Sequence, residues 1–230
     1  RDRRAARRAF YALSTHIDHQ LRVVLGTLRE QRLLENTVLL FTSDHGDMLG
    51  KHGLWAKKLY YEESARVPMI LVGSADGEEI ECGSVDNRLV GWQDIMPTLL
   101  QLAGIQIPKS VQGQSMLSDT RRDMLYGELG RGVQATRMVH VGRYKLIYYP
   151  AGNQVQLFDL EDDPEELFDI AGHAEAAAQR ADMESRLIGK LSGPDREWVV
   201  DGRLVGVPFK NSAQKGNKAL STQRGVHWPL

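Results

Sequence analysis

The densest group of residues that could do chemistry is the run Thr42-Ser-Asp-His-Gly-Asp-Met-Leu-Gly50, which directly follows a short, β-rich apolar run over residues 37–42. Asp44 and His45 are adjacent, so a regular strand would point them to opposite faces. Their convergence on one ion requires a backbone bend, and Gly46 supplies the freedom for it. An aspartate oxygen beside an imidazole nitrogen is half of a divalent-metal shell, with further ligands to come from elsewhere. An Asx-type turn with a solvated His45 explains the same residues equally well.

A second candidate group lies downstream, in a glycine-containing loop where Lys57 follows Trp55. An ammonium held close to a metal ion binds an oxyanion well, because both positive charges offset a sulfate or phosphate group. The alternative is that Lys57 and Lys58 are ordinary surface cations. We assign Glu62, Glu63 and Arg66 mainly to structure, with Arg66 pairing one of the two glutamates.

The elements that must position these residues follow an α/β rhythm. Apolar residues recur at three- and four-residue steps over residues 10–31, which predicts a helix that lays one apolar stripe on a sheet. The continuous apolar runs over residues 37–42 and 67–72 predict buried strands of a parallel sheet. A further amphipathic helix is predicted to begin at Asp94, as its N-cap, and to stop at Gly104.

The second half of the chain has a different texture. Short β-rich runs alternate with glycine-containing turns, which predicts an antiparallel meander over residues 124–128, 135–141, 144–149 and 156–160. A helix over residues 174–191 follows, and Gly193-Pro194 ends it. We therefore predict three parts: residues 1–118 as part of an α/β core, 119–195 as a smaller antiparallel sheet with a helix, and 196–230 as an extended tail.

Composition excludes several classes of protein. Lys and Arg number 29 against 30 Asp and Glu, and this net charge of −1 argues against nucleic-acid binding. The single cysteine, Cys82, excludes an intrachain disulfide framework and a multi-cysteine zinc site. No apolar run reaches the roughly 20 residues that span a bilayer. Arginines at the start of the chain are expected in the solvated first turns of a helix. The sequence does not indicate a cellular location.

Five motifs, taken in order, resemble the second half of the type I sulfatases, which belong to the alkaline-phosphatase-like superfamily. The resemblance extends from about residue 11 to residue 191. The motifs are Ser43-Asp-His-Gly-Asp-Met-Leu-Gly-Lys-His-Gly-Leu-Trp-Ala-Lys57, Tyr61-Glu-Glu-Ser-Ala-Arg-Val-Pro68, Trp92-Gln-Asp-Ile-Met-Pro-Thr-Leu-Leu100, Gly142-Arg-Tyr-Lys-Leu-Ile147 and Leu157-Phe-Asp-Leu-Glu-Asp-Asp-Pro-Glu-Glu-Leu167.

The resemblance implies roles for three residues. Asp44 matches a ligand of a divalent cation, usually Ca²⁺, that also touches the nucleophile. His45 matches a position that is commonly Asn, and an imidazole in place of an amide oxygen brings Mn²⁺ into consideration. Lys57 matches the lysine that binds the sulfate oxygens. The resemblance gives His52 no role, and we expect it to be packed or solvent-facing.

The nucleophile motif of the family, Cys or Ser followed by x-Pro-x-Arg and matured to formylglycine, is expected upstream of the Asp-His pair. Cys82 does not match this pattern. Residues 192–196, Ser-Gly-Pro-Asp-Arg, match its spacing at the wrong end of the chain, and we interpret them as a helix stop. Because the chain opens on Arg1, we expect a fragment that is inactive alone and ordered with a companion N-terminal half or by self-association.

The implied substrate is a small-molecule or saccharide sulfate ester. Two alternatives stay open: a phosphonate or phosphate ester hydrolase of the same superfamily, and a non-catalytic binding module. The last residues of the chain, with Arg224, His227 and Trp228, are expected to pack across the surface rather than to recognise substrate.

Overall fold

The computed structural model describes residues 3–75, 78–81 and 83–208. Cys82 and the tail residues Arg224, His227 and Trp228 lie outside these ranges. The helices are α1 (Arg3–Glu30), α2 (Glu62–Ala65), α3 (Ile95–Leu102) and α4 (Ala177–Ile188). The strands are β1 (Leu39–Thr42), β2 (Met69–Val72), β3 (Ser74–Ala75), β4 (Glu78–Glu79), β5 (Leu125–Leu129), β6 (Thr136–Val141), β7 (Tyr144–Tyr149), β8 (Gln154–Asp159), β9 (Val199–Val200) and β10 (Arg203–Leu204).

The chain forms two compact units. The first contains the residues up to Asp44 together with Val67–Arg121, and the second contains His45–Arg66 together with the residues from Arg122 onward. The segment His45–Arg66 therefore packs with the C-terminal sheet. The domain boundary between residues 118 and 119 stays a prediction. Within the described ranges, no helix has both the length and the apolar character that crossing a membrane requires.

In the first unit, the predicted helix is confirmed as α1, but its predicted packing is wrong. No residue of α1 is buried, and its apolar stripe faces solvent, with Leu13 63% and Ile17 52% exposed. No sheet in the described part of this unit covers the stripe. Its early arginines are exposed, as expected for solvated first turns.

The first two strands were predicted to belong to a parallel sheet, and for their pairing with each other this prediction is wrong. β1 and β2 form a two-stranded antiparallel ladder in which Leu39 faces Val72 and Thr42 faces Met69. The physical reason lies in the connection between them. Parallel neighbours need a crossover, usually a helix, and the residues between β1 and β2 form only a short 3-10 helix at Lys51–Gly53 and the four-residue helix α2.

The predicted helix near Asp94 is confirmed as α3, with Gly104 beyond its end at φ +66°. Asp94 is 1% exposed, but it makes no side-chain cap for α3. Its carboxylate instead accepts the Gly91 N–H and the Gln114 N–H, each at 2.8 Å. Asp94 thus fixes the chain on both sides of the helix start.

In the second unit, the meander is confirmed. β5, β6, β7 and β8 pair antiparallel in chain order. Alternate residues of β7 face opposite sides, as the two-residue period of a strand requires. Leu146 and Tyr148 pack in the same core as Met183 and Leu187 of α4.

The other face of the sheet is covered by the segment His45–Arg66. Ile147 and Tyr149 of β7 pack there with Phe158, Met48 and Tyr61. Met48 is 1% and Tyr61 4% exposed. Both faces of the central strands are therefore buried, and one of them is buried by the loop that carries the candidate site residues.

The helix stop at residues 192–196 also has a structural role. Asp195 Oδ2 accepts hydrogen bonds from Arg137 Nε at 2.8 Å and Nη2 at 2.6 Å. The Arg137 guanidinium also lies 5.2 Å from the centre of the Trp198 ring. These contacts join the turn after α4 to β6 and agree with interpreting the Ser-Gly-Pro-Asp-Arg match as structural.

Candidate functional site

Asp44 lies two residues beyond the end of β1, in the first unit, and is exposed. The indole of Trp92 is anchored beside it, because Trp92 Nε1–H donates to the Ser43 carbonyl at 2.9 Å. Trp92 remains 53% exposed. An accessible aromatic ring is thus hydrogen-bonded to the residue that precedes Asp44, although the two are distant in sequence. Sequence reasoning used Trp92 only as part of a motif, and its own signal, one tryptophan before a helix, is not specific.

His45 and Lys57 are brought together in the second unit. Lys57 Nζ is in hydrogen-bonding contact with His45 Nε2. The other ring nitrogen, Nδ1, lies 2.8 Å from the Gly46 carbonyl, which can only accept, so Nδ1 carries the hydrogen. Nε2 is then the acceptor for the ammonium. The loop therefore brings a cationic donor, the Lys57 ammonium, into contact with an imidazole nitrogen that has a lone pair, His45 Nε2.

Gly46 holds this pair close to α2. Its N–H donates to the Ser64 carbonyl at 2.9 Å. A Cβ at Gly46 would lie 1.9 Å from the Glu63 carbonyl oxygen. Gly46 does not have a positive φ, so its expected role as the source of a bend is replaced by a steric one. Only glycine allows the two backbones to approach this closely.

The loop that follows stores backbone strain. Four non-glycine residues adopt positive φ within ten positions: Leu49 at +45°, His52 at +51°, Ala56 at +65° and Lys58 at +76°. Such conformations cost on the order of 1–3 kcal/mol each and persist where surrounding contacts fix them. One such contact is the hydrogen bond from Met48 N–H to the Ala56 carbonyl at 2.8 Å. Lys57 lies between two of these strained residues.

The aromatic residues behind the loop have a structural function. Tyr61 and Tyr149 each donate a hydroxyl hydrogen bond to Gln156 Oε1 at 3.1 Å. Burial raises the pKa of both phenols, which keeps them neutral. His52 stacks on Tyr61 with ring centres 4.5 Å apart, and burial lowers its pKa. His52 was expected to be packed or solvent-facing, and it is both, because one face of its ring stacks on Tyr61 while the residue is exposed.

Both glutamates of the segment form ion pairs, and the expected pairing of Arg66 with one of them is confirmed. Arg66 Nη1 lies 3.7 Å from Glu62 Oε2, and Lys51 forms an ion pair with Glu63. Among the described residues, no group of three or more His, Cys, Asp or Glu side chains could hold a metal ion. Asp44 carries a carboxylate and His45 an imidazole, both of which are donor types that divalent cations accept, and the expectation that they hold such an ion stays a prediction.

Comparison with known protein families gives a match over residues 50–192. The matching family is described as N-sulphoglucosamine sulphohydrolase, C-terminal. The matched range contains Lys57 and the whole C-terminal sheet, and it begins after Asp44 and His45.

A similar relative is the arylsulfatase of Clostridium perfringens, which is 35% identical over 206 residues; the match covers 87% of this chain and 43% of the relative. Among solved structures, BT4656 in complex with its substrate D-glucosamine-2-N,6-O-disulfate is 26% identical with a TM-score of 0.68, covering 74% of this chain and 37% of that one. The phosphonate monoester hydrolase of Silicibacter pomeroyi is 25% identical with a TM-score of 0.67, covering 77% and 39%. The chain thus spans about two fifths of the length of these proteins, and its fold is of the sulfatase and alkaline-phosphatase-like α/β type.

Proposed function

Because the chain belongs to the sulfatase family, we propose that it is the C-terminal portion of a sulfuric ester hydrolase and contributes the residues that bind a cation and a sulfate group. The observation that carries the proposal is the pairing of Lys57, which lies on a strained loop within the family match, with His45, which precedes that match. An ammonium with three donors, held by its neighbours, is suited to the oxygens of a sulfate ester.

Asp44 and His45 would contribute two ligands to a divalent cation, Ca²⁺ or alternatively Mn²⁺. Such a cation, when bound, offsets negative charge on the sulfate group. Lys57 would hold the sulfate oxygens and stabilise the charge that develops as the alcohol departs. With its hydrogen on Nδ1, the His45 imidazole has its one lone pair on Nε2, where it accepts from the Lys57 ammonium. His45 would ligate the cation with this nitrogen only once the ammonium has turned from it to the sulfate oxygens.

The nucleophile is proposed to belong to a part of the protein outside this sequence. The chain has no Cys/Ser-x-Pro-x-Arg motif other than residues 192–196, and Asp195 there is bonded to Arg137. We therefore expect no turnover of 4-nitrophenyl sulfate by this chain alone. Turnover that requires added Ca²⁺ would contradict this part of the proposal.

The exposed stripe of α1 supports a companion N-terminal part. The chain covers about 43% of its arylsulfatase relative, and the uncovered remainder is long enough to bury the stripe. We propose that this remainder is its partner. Sedimentation tests this directly: the chain alone should remain largely monomeric at micromolar concentration, whereas stable oligomers would assign the stripe to a second copy.

The substrate is proposed to be a sulfate ester of a small molecule or a saccharide, as in the structural neighbour bound to a sulfated glucosamine. A second candidate, phosphonate ester hydrolysis, is supported by the similarity to a phosphonate monoester hydrolase. Calorimetric titration of the chain with inorganic sulfate and with methylphosphonate, both with Ca²⁺ present, distinguishes them. Tighter binding of sulfate favours a sulfatase, and tighter binding of methylphosphonate favours the second candidate.

The matched test of Lys57 is a comparison of Lys57→Ala with Lys58→Ala. Both remove one exposed lysine from neighbouring positions, so they change the net charge equally. Loss of a charge-assisted hydrogen bond should weaken sulfate binding by about 10- to 100-fold in the first variant only. If sulfate affinity falls equally in both variants, Lys57 acts only through its charge and not through a specific contact with sulfate.

A further inference from the structure

A buried group of three charged side chains joins the segment His45–Arg66 to the sheet. Lys145 of β7 is 1% exposed, and its Nζ lies 2.6 Å from Glu62 Oε1 and 2.5 Å from Glu166 Oε1. The Glu166 side chain is fully buried, and that of Glu62 is 19% exposed. Lys145 lies on the sheet face that this segment covers, because it alternates with Leu146 and Tyr148, which face α4.

Glu62 is held twice by this group. Its side chain contacts Lys145, and its backbone N–H donates to Glu166 Oε2 at 2.6 Å. Glu166 reaches this position at a positive φ of +53°, a conformation that costs energy for a non-glycine residue. Two strong interactions and one strained residue thus converge on the first residue of α2.

The fixed end of α2 is connected to the candidate site. Two residues after Glu62, the Ser64 carbonyl accepts the Gly46 N–H at 2.9 Å. Gly46 is bonded to His45, and its carbonyl accepts from the His45 ring. The path from Lys145 to the imidazole that contacts Lys57 therefore passes through one ion pair, one short helix and one backbone hydrogen bond.

A gain in stability does not by itself explain why Lys145, Glu62 and Glu166 are placed together in the interior. Replacing a buried ion pair or triad by apolar residues of similar volume is often neutral or stabilising, since the desolvation of the charges is costly. In some proteins, buried charged groups are retained because they specify one arrangement of the chain. The group is therefore better explained by what it positions.

We propose that Lys145 is a positioning residue: clamped between Glu62 and Glu166, it fixes the loop that carries His45 and Lys57 on the C-terminal sheet. The use of that loop for sulfate binding rests on the proposed function, but the positioning itself does not. Lys145 touches neither member of the pair and acts through Glu62, Ser64 and Gly46.

Amide hydrogen exchange of the intact chain tests the proposal. In Lys145→Met, exchange of the Gly46 and Met48 amides should accelerate on the order of 100-fold, because a broken buried ion pair releases the start of α2. The matched control is Arg143→Met, which removes a cation whose ion pairs are with Asp159, Glu161 and Asp162. In this control the same two amides should keep their exchange rates.

The amides of β6 and β7 separate positioning from general loosening of the fold. If Gly46 and Met48 accelerate while the strand amides do not, the proposal is supported. If all of them accelerate together, or if Gly46 and Met48 do not change, it is overturned. Glu166→Gln, which keeps the Lys145–Glu62 pair, is the milder variant should the first not fold, and about tenfold acceleration of the same amides is expected.

Sulfate binding distinguishes failure here from failure of the proposed function. A wild-type chain that does not bind inorganic sulfate contradicts the proposed function, while the exchange experiment still decides the positioning. Where the wild type does bind sulfate, Lys145→Met should weaken that binding and Arg143→Met should not.

Discussion

Substitution of Gly46 by alanine should detach the candidate site loop from α2. The added Cβ would lie 1.9 Å from the Glu63 carbonyl oxygen and 2.9 Å from its carbon, distances that no rotamer change can relieve because both atoms are backbone. The forced shift costs about 1–3 kcal/mol, and the weakened hydrogen bond to Ser64 costs about 0.5–1.5 kcal/mol. We therefore expect a loss of about 2–4 kcal/mol in the free energy of unfolding.

The assay is urea unfolding of the chain, with Gly172→Ala as the matched control. Gly172 belongs to the same unit, has no positive φ, and has open space where its Cβ would be. It should therefore change stability by less than about 0.5 kcal/mol. If Gly46→Ala is as stable as Gly172→Ala, the close approach of the two backbones is not as described and the connection from α2 to His45 fails with it.

Three further predictions concern other parts of the two units. Burial raises the pKa of Glu166 above its ordinary 4.5, despite the attraction of Lys145. The contribution of Glu166 to stability is therefore complete below pH 4.5 and is lost as the pH rises through the raised pKa. In urea titrations, the stability difference between wild type and Glu166→Gln should decrease over that range, and a constant difference would refute this. Asp195→Ala leaves the Arg137 guanidinium buried without its carboxylate, so the free energy of unfolding in urea should decrease by about 3–5 kcal/mol. A decrease below about 1 kcal/mol would contradict the buried ion pair described here. Trp92→Phe removes the hydrogen bond to Ser43 at a half-exposed site and should lower the free energy of unfolding by about 0.5–1.5 kcal/mol in the same measurement. An unchanged free energy of unfolding would mean that water replaces this hydrogen bond without loss.

Much of the local structure could be predicted from sequence because its signals are local. The meander of β5–β8 has glycine-containing turns between β-rich runs, and α1 and α4 have clear helical composition. The pairing of β1 with β2 could not be predicted from the strands themselves. A continuous apolar run is compatible with both pairings, and the connection decides between them.

The candidate site divides in the same way. The residue types and the motif order single out Asp44, His45 and Lys57, and their role as site residues stays a prediction. The contact between His45 and Lys57 could not be predicted from the sequence, because it depends on how the loop between them folds. Lys145 was missed because a lysine in an apolar strand is normally interpreted as a solvent-facing position. Its partners Glu62 and Glu166 are distant in sequence, so only the folded sheet brings the three charges together.

We propose that this chain contributes Asp44, His45 and Lys57 to the binding of a divalent cation and a sulfate group. Calorimetric titration with inorganic sulfate, in the presence and absence of Ca²⁺, tests it most directly, because two ligands that stabilise each other must show a reciprocal gain in affinity. We predict that Ca²⁺ increases the sulfate affinity of the wild-type chain and that Asp44→Asn abolishes this increase. Equal sulfate affinity with and without Ca²⁺ in the wild type would contradict the claim.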